Sequence, residues 1–311
     1  MLCYSPSLAI AAVTIIYAAN IVTNMQYAAR LFAEVHSLMT SAERTLAYTK
    51  IKAEKGRDVN EEPPKNWPHA GAIQFKDVSL WHYEKGPKVL KNLTFDIKAS
   101  EKIGIVGRTG AGKSSLVAAL FQTAETDGEI IIDEMNITKL NIMSTRRNIS
   151  IISQSPILFS TSIRANLDPC GTFTDSEIWH ALEQMQMKSV ISGFPDKLES
   201  VITEGGFDFS VGERQLLHLA RVLLNKTKIV VFDEATSKVD ETTDKTIQRT
   251  IRNVFKDCTV ITIAHRLNTI LDCDRIMVLD DGVIVEFDKS DVLLKKKEGM
   301  FTRLYTVYSG N

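Results

Sequence analysis

Residues Gly107 to Ser114 read GRTGAGKS, the spacing G-x-x-x-x-G-K-S. In such a loop the glycines let successive backbone N–H groups curl around phosphate oxygens, and a helix starting at the lysine adds the positive end of its dipole. Lys113 is placed to reach β- and γ-phosphates, and Ser114 to offer its hydroxyl to Mg²⁺. The run KIGIV precedes the motif and SSLVAALF follows it. That strand-then-helix context separates a phosphate loop from a chance glycine-rich turn.

A second constellation closes the run KIVVFDEATS, where apolar residues lead into Asp233 and Glu234. Two acids at a strand end are by themselves commonly a solvated cap. Downstream of a phosphate loop they become a metal-and-base pair: Asp233 is expected to hold Mg²⁺ through water, and Glu234 to polarise the attacking water. TVITIAHRL ends another apolar run on His265. A lone histidine there is more often a satisfied core or turn residue, but on the strand after the acids it can donate to a γ-phosphate. ISQSP sets Gln154 at a further strand end, where its amide oxygen can reach the metal.

The stretch DFSVGERQLLHLAR opens a helix with Ser210 and Gly212 and sets Glu213 beside them. Ser210 and Glu213 form the S-x-x-E pattern of a capping box, in which the carboxylate ties back to the first N–H of the helix. A helix mouth with small residues also suits an anion, which a nearby carboxylate repels.

The elements that must carry these groups follow from periodicity. AIQFKDVSLWHY, LTFDIK, KIGIVG, GEIIIDE, ISIIS, KIVVFDE, TVITIAH and RIMVLDDGVIVEF read as strands. Several are continuous apolar runs, as buried parallel strands require, and others form hairpin-like pairs. The pattern predicts an α/β fold with an added antiparallel sheet. Ahead of it, EKGRDVNEEPPKNWPHAG breaks all periodicity and predicts a linker at 51–70, with the globular domain at 71–311. Residues 1–50 differ. No charge occurs from Leu2 to Ala29, and SLAIAAVTIIYAANIVTNMQYAA is long enough to cross a bilayer. A signal peptide is disfavoured because no basic residue precedes the apolar run; a buried helix of a soluble domain is the plainer alternative. Asn20, Thr23, Asn24 and Gln26 imply packing against other helices if the segment spans. The more basic stretch through Arg30, Lys50, Lys52 and Lys55 then lies on the cytoplasmic side.

The 37 basic and 38 acidic residues nearly cancel, so nothing asks for nucleic acid as a partner. Four scattered cysteines without metal-ligand spacing imply reduced thiols in a cytosolic body.

The order phosphate loop, strand-end Gln, Ser-x-Gly helix start, Asp-Glu and His resembles the ATP-binding cassette (ABC) family from Gly71 to about Tyr308. FSVGERQ, ESVITEGGFDFS, NLDP, CTVITIAHRLNTI and DRIMVLD are most similar to the second nucleotide-binding domain of the C-subfamily, multidrug-resistance-associated exporters. The resemblance implies a P-loop NTPase cassette with a RecA-like parallel sheet core, an antiparallel β-subdomain and a helical signature subdomain. SLMTSAERTLAYT then looks like the end of an exporter's last transmembrane helix, whose companion helices belong elsewhere. It implies ATP and Mg²⁺, a plasma-membrane site with the cassette in the cytoplasm, and a head-to-tail partner cassette. Carried over by position, Gly107, Arg108, Thr109, Gly110, Ala111, Gly112, Lys113, Ser114 and Ser115 hold ATP on this cassette, together with Gln154, Asp233, Glu234 and His265. Ser210 and Gly212 meet the partner's ATP, and SKVD at 237–240 runs along the seam between cassettes. Adenine stacks on an aromatic residue after the first strand, which leaves His82 or Tyr83, with alternation favouring His82. Glu213 stands where the family has Gln. The implied activity is ATP hydrolysis driving efflux of organic anions or drugs. Two other readings are an ATP-binding interaction protein that associates with full transporters without transporting, and a chromosome-maintenance ATPase. The last needs a long coiled coil between P-loop and Asp-Glu strand, and no heptads occur there.

Overall fold

The computed structural model describes residues 6–51, 53–54, 56–83, 86–154, 156–203, 208–235, 239, 241–264, 267–296 and 298–309. It divides into two compact units, one ending at Lys55 and one beginning at Gly56.

The first unit is a single helix, α1 (Pro6–Thr49). Proline at its first position has a preset φ and no N–H to leave unpaired, and no glycine or proline interrupts the next 43 residues. The hydroxyls of Thr14, Thr23, Thr40, Ser41 and Thr45 donate to the carbonyl four residues back, so these five groups are satisfied within the helix. Among the described residues it is the one helix long and apolar enough to cross a membrane by length and composition.

The second unit has two sheets. Strands β1 (Ile73–Trp81), β2 (Leu90–Ile97), β4 (Glu125–Ile132) and β5 (Met135–Asn136) form an antiparallel sheet in the order β2-β1-β4-β5. Strands β3 (Lys102–Gly107), β6 (Ile149–Ile152), β7 (Ile229–Asp233), β8 (Thr259–Ile263), β9 (Arg275–Asp280) and β10 (Val283–Asp288) form the order β10-β9-β3-β8-β7-β6. All pairs in this second sheet are parallel except the β9–β10 hairpin.

Register explains why the motifs meet. Ile263 of β8 pairs with Ile105 of β3 on one side and Asp233 of β7 on the other. The P-loop and the acid pair therefore leave the same edge of the sheet, one strand apart, where open α/β sheets place their ligands.

The helices of this unit are α2 (Lys113–Leu120), α3 (Ile142–Arg147), α4 (Ile163–Leu167), α5 (Asp175–Gln184), α6 (Lys188–Ser192), α7 (Val211–Asn225), α8 (Glu241–Val254), α9 (Ser290–Lys295) and α10 (Met300–Ser309). Helices α4 to α7 pack with one face of the parallel sheet around Ile178, Leu182, Leu217 and Phe232. The antiparallel sheet and α2 close over the opposite face, with Phe75 stacked on Phe95 at 4.5 Å. A third cluster, with Val106, Ile270, Val278, Leu293 and Phe301, seats the C-terminal helices.

The expected linker differs from what is seen. From Gly56 on it packs against the globular unit. Trp67 is 5% exposed, and its indole N–H donates to Ile132 O at 3.0 Å. The amide of Asn141 donates to Val59 O, and the Asp133 carboxylate accepts from the N–H groups of Ala70, Gly71 and Ala72. Proline-rich composition hides this strap because its anchors are one tryptophan and backbone groups.

Candidate functional site

The P-loop runs from β3 into α2. Gly112, at the N-cap of α2, takes φ 101°, a left-handed backbone that a side chain would strain. The turn brings the first residues of α2 to the wall of a cavity of about 280 Å³. Thr109, Gly110, Gly112, Lys113, Ser114 and Ser115 line it from the loop, and His82, Val89 and Glu234 from elsewhere. At Gly110 a Cβ would meet nothing within 4 Å, so the loop is an open cradle.

Lys113 is buried, and its ammonium donates to Gly107 O at 2.9 Å and Arg108 O at 3.0 Å. Burial pushes its pKa below the ordinary lysine value, while the charges of Glu234 and Asp233 hold it up. Both carboxylates are thus within electrostatic reach of the loop lysine. Glu234 adopts φ 52°, uncommon for a residue with a Cβ, and its N–H donates to Ile263 O at 3.0 Å. This turn at the end of β7 carries Glu234 into the cavity lining.

His82 lines the cavity, with Nε2 3.4 Å from Ser115 Oγ. Tyr83 is 64% exposed and does not line it; its ring lies against Gly86 instead. A bulge at Asp77, φ 51°, shifts the register of β1, so Val78, Ser79 and Leu80 are all buried and the strand ends at Trp81.

Arg108 lines a second cavity of about 300 Å³ with Val106, Gly107, Thr109, Ala264, Leu267 and Leu304. Ala111 is buried behind the loop. His265 lies outside the described residues, as do Ser237, Lys238 and Asp240 of the expected seam loop.

Gln154, Ser210 and Gly212 line neither cavity. Gln154 follows β6, exposed, at the edge of the parallel sheet. Ser210 and Glu213 form the expected capping box at the start of α7. The same helix reaches the Gln154 segment. Gln215, 1% exposed, donates Nε2 to Ser153 O at 3.2 Å and Gln154 O at 3.4 Å. One turn on, His218 bonds the Ile157 backbone, and Arg221 Nη1 lies 3.4 Å from its Nε2. Sequence reading missed Gln215, His218 and Val89. The helical period marks Gln215 as core-facing on α7, but no local pattern names its partners.

Residues 90–237 match the family described as ABC transporter. The chain is 47% identical over 288 residues to human ATP-binding cassette sub-family C member 4, covering 93% of this chain and 22% of that protein. It is 47% identical over 290 residues to ABC transporter C family member 12 of Dictyostelium discoideum, covering 93% and 22%. The chain belongs to the ABC transporter family. Its globular unit has the ABC cassette fold: a bacterial Atm1-family ABC exporter with ATP bound superposes with TM-score 0.78 and 29% identity, over 88% of this chain and 47% of that one. The chain spans about a fifth of the length of the curated relatives it matches.

An ABC cassette implies ATP binding and ATPase activity in general terms. The open P-loop cradle, the buried Lys113 and the Glu234 carboxylate suit a triphosphate. Among the described residues no three His, Cys, Asp or Glu side chains converge on a metal by themselves. Mg²⁺ is commonly held by one or two protein groups plus substrate phosphates, and the Ser114 hydroxyl is a hard oxygen donor on the cavity lining.

Proposed function

We propose that this cassette binds and hydrolyses ATP with Mg²⁺, pairs head-to-tail with a second cassette, and powers an exporter of organic anions or drugs. The observation that carries this reading is the single cavity lined by His82, Lys113, Ser114 and Glu234, residues drawn from three separate segments. Its export role rests on the likeness to C-subfamily relatives and on α1, read as one helix of a membrane domain. On this proposal the protein sits at the plasma membrane, with the cassette in the cytoplasm.

Lys113 and the N–H groups of residues 110–115 bind and orient the phosphates, and His82 stacks on adenine. Glu234 takes up hydrogen-bonding to the attacking water and draws off its proton at the carboxylate. Ser114, Gln154 and Asp233 are the groups that would hold Mg²⁺, which supplies neutralisation of the developing phosphate charge. His265 donates to the γ-phosphate. Ser210 and Gly212 present a helix start to the ATP of the partner cassette.

The test is ATPase activity of the full chain in lipid nanodiscs, alone and mixed with a first cassette of the subfamily. Low turnover alone and stimulation on mixing is expected; equal turnover in both would overturn the shared-site reading. ATP binding without turnover in either condition would instead support a non-transporting partner of complete transporters.

A further inference from the structure

Three stretches of backbone meet behind the P-loop, and the turn between β9 and β10 is the piece that joins them. Gly282 donates its N–H to Ala111 O at 3.1 Å and accepts the Lys91 N–H at 2.9 Å. A Cβ on Gly282 would stand 2.0 Å from Val89 O and 3.0 Å from Val89 C, and its φ of +77° disfavours any side chain. From the other side, a Cβ on Gly112 would stand 3.7 Å from Gly282 Cα and 2.8 Å from Leu90 Cδ2.

These contacts link lining residues that come from separate segments of the chain. Ala111 and Gly112 belong to the phosphate cradle. Val89 lines the same cavity as His82, and its N–H donates to Leu80 O at 2.7 Å, two residues before His82. Gly282 therefore stands between the loop that takes phosphates and the strand ends that flank the base. The neighbouring Asp281 carboxylate clasps Lys91 Nζ at 2.7 Å on the surface.

We propose that Gly282 is a positioning residue that sets the distance between base pocket and phosphate cradle, so that the site prefers a nucleoside triphosphate over a bare polyphosphate. It rests on the reading of the cavity as an ATP site and adds what fixes its length. A Cβ at position 282 meets backbone, which no rotamer change relieves. It pushes Val89 and the start of β2 away from the P-loop and opens the base end, while Lys113 and the loop N–H groups stay in place.

The experiment measures dissociation constants and stoichiometry for Mg-ATP and Mg-tripolyphosphate on the full chain in nanodiscs. Gly282→Ala is expected to weaken ATP at least about tenfold and tripolyphosphate by less than about twofold. Lys91→Met removes only the exposed clasp and keeps the test open should the position-282 variant fold poorly. For it we expect a loss of about two- to threefold for ATP alone. Equal losses for both ligands, or unchanged ATP affinity in a folded Gly282→Ala chain, overturn the positioning role. If Gly282→Ala does not fold, an unselective or absent effect of Lys91→Met overturns it. A wild-type chain that binds tripolyphosphate no more weakly than ATP also overturns it, and one that binds neither ligand sinks the ATP-site reading beneath it.

Discussion

Ser210 and Glu213 hold one another at the start of α7: the Ser210 N–H donates to the Glu213 carboxylate at 2.8 Å, and the Glu213 N–H donates to Ser210 Oγ at 3.2 Å. Accepting through its oxygen leaves the Ser210 hydroxyl proton available for a phosphate. The carboxylate is retained beside it as a fixed negative charge.

Glutamine at position 213 can form the same box without the charge. Glu213→Gln is expected to lose about 0.5 kcal/mol of helix-dipole stabilisation and to tighten ATP-dependent pairing with a partner cassette severalfold. Sedimentation or fluorescence energy transfer with and without ATP reads the effect. Pairing that stays unchanged would leave the acid as a cap and nothing more.

Glu234 lines the cavity with Lys113, while its backbone is held by Ile263. Glu234→Gln preserves shape and hydrogen-bonding reach but cannot take a proton. We expect ATP affinity within about threefold of wild type and turnover reduced about 100-fold or more, the range of general-base contributions. Nucleotide titration with single-turnover hydrolysis separates the two. Loss of binding would mean that the acid shapes the pocket instead.

Gln215 grips the Ser153 and Gln154 carbonyls, and its own Oε1 is buried without a hydrogen-bond partner. On the proposed metal role of Gln154, Gln215→Leu should leave metal-free ATP binding intact and raise the Mg²⁺ concentration for half-maximal hydrolysis, because Gln154 loses its tether. The lost bonds amount to about 1–2 kcal/mol of stability, offset in part by removal of the orphaned oxygen. A Mg²⁺ profile identical to wild type would detach α7 from the proposed metal site.

The pKa of His218 is pushed from 6.5 down to about 4 by burial and then by the Arg221 charge, against a bond to the Ile157 backbone that raises it. Above pH 6.5 the ring is neutral in the folded and unfolded chain alike. As pH falls from there to about 4, the unfolded chain takes up the proton and the folded chain does not. Stability therefore declines across that window by about 3 kcal/mol. His218→Gln should flatten the decline in denaturant melts between pH 6.5 and 4; an unaltered slope would place the titration elsewhere.

The local chemistry of this protein is written in the order of its residues. A P-loop needs glycines, lysine and serine at fixed offsets, a capping box needs Ser and Glu three apart, and buried strands need unbroken apolar runs. Each is a short-range requirement, so GRTGAGKS, Ser210–Glu213 and the strand ends at Asp233 and Glu234 are legible before any fold is known. What only the tertiary structure decided are meetings between distant segments. Gly282 reaches Ala111, and Gln215 reaches Gln154, because strand order and register bring those segments together. His82 lines the cavity and Tyr83 does not, which depends on where the end of β1 settles against the P-loop. The strap from Gly56 to Ala70 reads as a linker by composition and packs because Trp67 finds Ile132 across the chain. Backbone propensity acts over a few residues, whereas these contacts depend on where whole strands settle, and no local pattern encodes that.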